Sequence, residues 1–154
     1  MTGFVKFLHL LTTAAWFGGA LGAMTLAVAA RREGTSERAF VAALIGRLYS
    51  RLIGPAAAVS LLSGLALTMM LAIQGFGPML GSPRLAVMQG AGLVAGILVL
   101  FVGLPTAVKL GRLAASAEGD TLPSEFDELR KRQGIVQSVA GLLMVIAFYA
   151  AAAL

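Results

Sequence analysis

The chain contains no cysteine and only one histidine among its 154 residues. Without thiols, disulfide bonds, cysteine-ligated metal sites and c-type haem attachment are excluded. Charge is also scarce, since 12% of the residues are Asp, Glu, Lys or Arg, where soluble domains carry about 25%. By contrast, 58% of the residues are hydrophobic and the mean hydropathy is +0.89. These values exclude a soluble globular domain and indicate an integral membrane protein.

Four apolar runs are long enough to cross a bilayer, which takes about 20 residues. They cover residues 4–30, 53–73, 85–108 and 135–154. None shows the alternation of barrel strands, so helices are the spanning structure to expect. The runs fill most of the chain and leave no room for a separate soluble domain. The sequence therefore predicts an all-α, polytopic membrane protein: one domain, residues 1–154, built as an antiparallel four-transmembrane-helix bundle.

The connections between the runs predict where the helices begin and bend. We expect the second helix to start near Ser36 and to bend at Gly54-Pro55, because proline removes a backbone donor. The second connection, GFGPMLGSP, is short and rich in Gly and Pro, which predicts a tight hairpin between helices two and three. In the third, Pro123 followed by Ser124 predicts the start of the last helix, with Ser124 as its N-cap.

The positions of the cations predict the orientation in the membrane. Ten of the twelve Lys and Arg residues lie in the regions between spans one and two and between spans three and four: Arg31, Arg32, Arg38, Arg47, Arg51, Lys109, Arg112, Arg130, Lys131 and Arg132. Such loops remain in the cytoplasm. We therefore expect both termini on the periplasmic side of a bacterial inner membrane. Because these charges flank apolar runs, the net charge of +5 does not indicate a nucleic-acid partner.

Two further sets of residues predict contacts with the surroundings. A basic collar of Arg47, Arg51, Lys109 and Arg112 would attract anionic lipid headgroups, at about 1 kcal/mol per cation. Small-residue steps of the GxxxG type occur in helices one and three, at Gly18, Gly22, Gly92 and Gly96. Such steps let helix backbones approach closely, either within one bundle or between copies in a homo-oligomer. We favour contact within the bundle.

His9 is the only candidate for a cofactor ligand, and it lies about one turn inside the outer boundary of span one. A buried imidazole can bind haem iron or copper, or relay protons. The alternative, which we favour because there is no second histidine, is an interfacial histidine hydrogen-bonded to a neighbour. Counting residues from the membrane boundary places several polar side chains at a similar depth near the outer side of the bundle. This outer-side polar cluster would join helices or line a small pocket. Its members are His9, Thr12, Thr13, Thr68, Gln89 and Tyr149.

Catalysis and ion-coupled transport find little support in the sequence. All seven Asp and Glu residues lie outside the four runs, whereas cation-coupled transporters usually keep an acidic residue at membrane depth. There is no catalytic triad, paired-carboxylate site or phosphate-binding glycine loop. Small-solute transport is disfavoured too, because we see no pair of broken helices with convergent polar groups.

The stretch LHLLTTAAWFGGALGAMTL places His9 ahead of a Trp-Phe-Gly-Gly step, residues 16–19. It resembles the first helix of the copper-resistance protein D-like and HemJ-like membrane proteins, and of small four-helix bacterial membrane proteins of unknown function. The segment GPAAAVSLLSGLALT is similar to their second helix. The resemblance implies this fold and a membrane location, and it implies that His9 could serve haem b or copper.

These observations favour a non-catalytic accessory or scaffold subunit. It would associate with membrane lipids, pigments or a larger membrane protein complex through its helix faces. The alternative is a haem- or copper-associated membrane protein that uses His9. A small-solute transporter is the third hypothesis.

Overall fold

The structure, a computed structural model, describes residues 2–75, 81–116 and 122–152. Within these ranges the chain is helical apart from short turns, and no strand occurs. Four helical stretches are long and apolar enough to cross a membrane: Thr2–Arg32, Thr35–Ile73, Pro83–Ala115 and Ser124–Ala152. The prediction of an all-α protein with four membrane-spanning helices is confirmed.

Each span is built from one or more helical segments. Span one is helix α1, Thr2–Ala29, followed by a 3₁₀ turn at Ala30–Arg32. Span two comprises α2, Thr35–Leu48, the π-helical segment π1, Tyr49–Ile53, and α3, Gly54–Ile73. Span three comprises α4, Pro83–Ile97, the segment π2, Leu98–Gly103, and α5, Leu104–Ala115. Span four is α6, Ser124–Ala152.

The helix starts lie close to the predicted positions. Helix α2 begins at Thr35, one residue before the expected start. Helix α6 begins at Ser124 itself, and the Phe126 N–H donates to the Pro123 carbonyl at 2.9 Å. The centre of the predicted hairpin, residues 76–80, and the loop residues 117–121 lie outside the described residues.

Both central spans are interrupted immediately before a proline. The Gly54 N–H donates to the Tyr49 carbonyl five residues earlier, and the Leu104 N–H donates in the same way to the Val99 carbonyl. The next residue in each case is proline, which has no N–H and whose ring displaces the preceding turn of an α-helix. The wider π-turn accommodates the proline. The bend expected at Gly54-Pro55 is therefore a π-helical segment, and span three has a second one.

Neighbouring spans run in opposite directions. In spans one and two, Gly19 lies beside Ile53 whereas His9 lies beside Gly64, so the numbering rises in one span as it falls in the other. The same holds for spans three and four, where Gly103 faces Val136 and Lys109 pairs with Glu125. The residues that precede α2 and α6 consequently share one end of the bundle. We call it the basic end, because Arg38, Arg47, Arg112 and Arg130 lie there.

A close approach between helix backbones joins α2 to α5. A Cβ atom on Gly46 would lie 2.9 Å from the Ala107 carbonyl oxygen and 3.3 Å from the Gly111 Cα. A Cβ on Gly111 would in turn lie 3.3 Å from the Ala42 carbonyl oxygen. Only glycine allows such an approach of two backbones, which gains packing where lipid provides no hydrophobic drive for association. This crossing fixes the two halves of the bundle against each other at the basic end.

Candidate functional site

His9 on α1 is held against α3 by hydrogen bonds. Its Nδ1 lies 2.9 Å from the Ser60 carbonyl oxygen and 3.2 Å from the Ser63 hydroxyl oxygen. A carbonyl oxygen only accepts, so Nδ1 donates the proton and Nε2 is the nitrogen left open. The Thr13 hydroxyl adds a 2.6 Å hydrogen bond to the Ser60 hydroxyl. Four polar side chains thus form one seam between spans one and two.

Gly64 makes room for the His9 ring. A Cβ at this position would lie 3.0 Å from the His9 Cε1 and 3.4 Å from Nδ1. The seam therefore depends on a glycine as well as on its polar groups, since a larger residue would push the imidazole away from Ser60. The half-buried histidine has the hydrogen-bonded, interhelical setting that polar side chains adopt within membrane bundles.

The remaining members of the outer-side cluster do not join this seam. The Gln89 amide donates to the Thr68 hydroxyl at 2.8 Å, which links spans three and two as a separate pair. The Thr12 hydroxyl donates to the Leu8 carbonyl of its own helix. Tyr149 is exposed. The structure therefore brings His9 together with Thr13 and separates them from Thr68 and Gln89. It adds Ser60 and Ser63, which the count of residues from the membrane boundary did not include.

The Nε2 of His9 is its one open nitrogen. In the ranges that the structure describes, no three His, Cys, Asp or Glu side chains come together in a way that could hold a metal ion. The hydrogen bond from Nδ1 to a carbonyl is the orientation that metal-bound histidines usually have. His9 could thus supply one axial ligand to a haem and no more.

A second polar group lies deeper in the bundle, where Tyr49 opens the segment π1. The Tyr49 hydroxyl donates to the Gln137 Oε1 at 3.1 Å, and the Gln137 Nε2 donates to the Ala20 carbonyl. Both side chains are buried, and the bonds tie spans one, two and four together. The sequence contains a weak signal for this group, a tyrosine beside the run 53–73 and a glutamine inside the run 135–154.

The two helix interruptions pack against each other beside this group. A Cβ on Gly54 would contact Leu104 at 3.2 Å, and one on Gly103 would contact the Tyr49 ring at 3.5 Å. Gly103-Leu104-Pro105 thus gives span three a π-helical segment, as Gly54-Pro55 gives one to span two. Both spans remain helical across these segments, so neither is an unwound, broken helix of the kind that transporters use. The expectation concerning small-solute transport stays a prediction.

The four predicted packing glycines differ in their surroundings. Gly96 is buried against the Leu61 side chain, whereas Cβ atoms on Gly18, Gly22 and Gly92 would have no atom within 4 Å. Contact within the bundle is made instead by Gly19, which faces Ile53. The interpretation of the GxxxG steps as contacts within one bundle therefore applies to Gly96 alone among the four.

The basic collar divides into paired and unpaired side chains. Lys109 forms an ion pair with Glu125 of α6. Arg47 and Arg112 line one groove of about 240 Å³ between α2 and α5, together with Ser50. Among the described residues neither arginine has an ion-pair partner. Arg51, one turn beyond Arg47, is exposed and does not line the groove.

The groove has a floor without side chains. Gly46 and Gly111 line it, and they are the residues at which the two helix backbones meet. Both glycines are buried where the helices meet, so the exposed Arg47 and Arg112 side chains are the groups available to a ligand in the groove. Arginine presents planar, bidentate donors that match phosphate and carboxylate oxygens.

Comparison with known proteins places the chain in a family. The family described as "Predicted integral membrane protein (DUF2269)" matches residues 3–152. The chain belongs to this family. No curated protein and no solved structure matches the chain with significance. The family membership supports an integral membrane protein of unknown function, and it does not extend to the copper-resistance protein D-like or HemJ-like type.

Proposed function

We propose that the protein is a non-catalytic membrane subunit that binds anionic lipid headgroups at its basic end. The observation that carries the proposal is the groove between α2 and α5, in which Arg47 and Arg112 flank a floor of two glycines. In the described part of the chain, these two arginines are not neutralised by any carboxylate. Their charge is available to a ligand.

The chemistry of the groove fits the phosphate of a glycerophospholipid. Two guanidinium groups attract it, and the Ser50 hydroxyl, which also lines the groove, adds a polar group. The apolar residues Ala43 and Val108 continue the lining, so acyl chains can lie along the helices without crossing a polar surface. Juxtamembrane cations contribute about 1 kcal/mol each to such binding.

The orientation that we propose supports this role. Ten of the twelve cations lie near the basic end, so the positive-inside rule places that end in the cytoplasm and both termini in the periplasm of a bacterial inner membrane. The cytoplasmic leaflet is the one in which anionic lipids create a negative surface potential. The groove would then open at the depth of those headgroups.

Neutralising both groove arginines tests the proposal. In the double variant Arg47→Gln/Arg112→Gln, we expect the affinity for phosphatidylglycerol to fall about 30-fold, as the loss of two contacts of about 1 kcal/mol predicts. Native mass spectrometry of the detergent-purified protein during titration with the lipid measures this change. The difference should shrink at high salt, because salt screens exposed charges.

A matched variant distinguishes the effect of the groove arginines on lipid affinity from the effect of the net charge of the protein. Lys131→Gln/Arg132→Gln removes the same two charges from exposed positions in the first turns of α6, outside the groove. Its affinity should stay within about threefold of the wild type, since distant exposed charges are largely screened. An equal loss in both variants, or equal binding of phosphatidylcholine and phosphatidylglycerol by the wild type, would refute a specific headgroup site.

A haem-associated role of His9 is the second candidate. It is favoured by the hydrogen bond from Nδ1 to the Ser60 carbonyl, which leaves Nε2 free to act as one axial ligand. The two candidates differ in an observable property of the purified protein. A stoichiometric Soret band that disappears in His9→Ala would favour the haem role over the lipid role.

A further inference from the structure

Two neighbouring turns of α6 carry every buried side-chain nitrogen or oxygen without a hydrogen-bond partner in the described part of the chain. These atoms are the Nε of Arg130 and both the Nε2 and Oε1 of Gln133. Residues three apart lie on one face of a helix. The Gln133 side chain is 5% exposed. It lies near the Tyr49 hydroxyl, but neither amide atom meets hydrogen-bond geometry with that group.

A buried polar group without a partner costs about 1–3 kcal/mol, and more when it is charged. Native proteins therefore rarely bury one, and such a group calls for an explanation, such as a bound water, ion or ligand. The Arg130 Nε is the charged group among the three, so its surroundings are the place to look for such a ligand.

A cavity adjoins Arg130, whereas Gln133 does not line it. It has a volume of about 40 Å³ and lies among α1, α2, α5 and α6 at the basic end. Arg130 lines it together with Arg31 and Arg38. Since a single water needs about 10–15 Å³ of such volume, the space accommodates a group of a few heavy atoms. This cavity is separate from the lipid groove, because the two share no lining residue.

The electrostatics of the cavity favour an anion. Three arginines line it. In the part of the chain that the structure describes, Asp127 is the one carboxylate paired with any of them, at 3.1 Å from both Arg38 and Arg130. The remaining walls are apolar, including Ile45, Leu110 and Phe126. Apolar walls exclude water and strengthen the attraction between a guanidinium group and an anion.

We propose that this cavity binds a small oxyanion, a carboxylate or a phosphate group, through the Arg130 guanidinium. Arg31 and Arg38, which line the same cavity, supply the additional positive charge. The oxyanion is either a soluble molecule or the head of an amphiphile. Both sources present the same oxygens to Arg130.

Thermal unfolding in a maltoside detergent tests the site with acetate and inorganic phosphate, each compared with chloride at equal ionic strength. We expect at least one of the two oxyanions to raise the unfolding temperature of the wild type. Arg130→Gln should weaken the binding about tenfold or more, as the loss of charge-assisted hydrogen bonds predicts. The adjacent, exposed Lys131→Gln and the groove variant Arg47→Gln/Arg112→Gln should respond as the wild type does.

Gln133→Leu is a control variant one turn from Arg130. Without oxyanion this variant should unfold at a higher temperature than the wild type, because it removes an unpartnered buried amide. Its stabilisation by oxyanion should equal that of the wild type, because Gln133 does not line the cavity. A wild type that responds to neither oxyanion overturns the proposal, as does an undiminished response in a folded Arg130→Gln variant.

The source of the oxyanion is distinguished by repeating the titration in nanodiscs of phosphatidylglycerol. If the lipid phosphate occupies the cavity, the wild type no longer responds to added acetate or phosphate. If the ligand is soluble, the response persists. Failure of the lipid-groove proposal leaves these results unaffected, since the groove variant keeps this cavity intact.

Discussion

Replacing Gly46 by valine is expected to destabilise the bundle by about 3 kcal/mol or more, the upper range for overpacking a closely packed site. The first added carbon would lie 2.9 Å from the Ala107 carbonyl oxygen and 3.3 Å from the Gly111 Cα. Both are backbone atoms, so no side chain can rotate away to relieve the contact. Spans two and three would have to separate at the basic end. Unfolding of the purified protein in detergent, followed by circular dichroism, measures the effect.

Gly22→Val is the matched control, because an added Cβ at Gly22 has no atom within 4 Å. It makes the same chemical change in a membrane-spanning helix, and it should lower the free energy of unfolding by less than about 1 kcal/mol. Gly46→Ala should fall between the two, since its single added carbon already contacts the Ala107 carbonyl. Equal stability of the two valine variants would show that α2 and α5 do not meet at Gly46.

Gln137→Leu is expected to destabilise the protein by about 1–3 kcal/mol, the cost of leaving a buried hydroxyl without its acceptor. The Tyr49 hydroxyl, on a side chain that is 1% exposed, donates to the Gln137 Oε1 at 3.1 Å. Water is scarce in a membrane interior, and the nearby Gln133 amide would have to turn toward the Tyr49 hydroxyl to replace the lost acceptor. The same unfolding measurement applies.

A double-mutant cycle isolates the contact between Tyr49 and Gln137. Tyr49→Phe removes the hydroxyl, so that Gln137→Leu in this background no longer leaves a donor unpaired. We expect the double variant to be more stable than the sum of the single effects predicts, by about 1 kcal/mol. Additive effects would mean that the two side chains do not interact. Gln74→Leu, at an exposed turn position, controls for the general effect of replacing glutamine by leucine.

Hydropathy predicted the fold because the bilayer imposes it. An apolar run of about 20 residues has few alternatives to a spanning helix. Proline chemistry predicted the bend at Pro55. The same reasoning applies to Pro105, next to the π-helical segment in span three. Pro105 lies inside the uninterrupted apolar run 85–108, however, so hydropathy alone gives no sign of that segment.

The partners of individual side chains were harder to predict, because the sequence of a membrane-spanning helix contains little information about the rotation of the helix or its register against its neighbours. In a soluble helix the buried face is apolar and the exposed face polar, whereas here both faces are apolar. Depth counting consequently placed His9 at the level of Thr68, and the structure places it beside Ser60 and Ser63, at least one helical turn away.

The buried glutamines were missed for a related reason. Gln133 follows the cations Arg130, Lys131 and Arg132 and lies outside the apolar run 135–154, so its position predicts no burial. Helix α6 begins at Ser124, as predicted, and its rotation turns Gln133 into the bundle interior while its neighbours Lys131 and Arg132 remain exposed. Hydropathy locates the helix but does not determine this rotation.

The orientation of the basic end tests the account most directly, since the lipid proposal requires that this end meet the anionic cytoplasmic leaflet. The chain has no cysteine, so single cysteines can be introduced without removing others. Gln74→Cys and Lys131→Cys are both exposed, at opposite ends of the bundle. Intact bacterial cells expressing each variant are treated with a membrane-impermeant maleimide. We expect Gln74→Cys to be labelled in intact cells and Lys131→Cys only after lysis; the reverse pattern would place the arginine groove outside the cell and contradict the account.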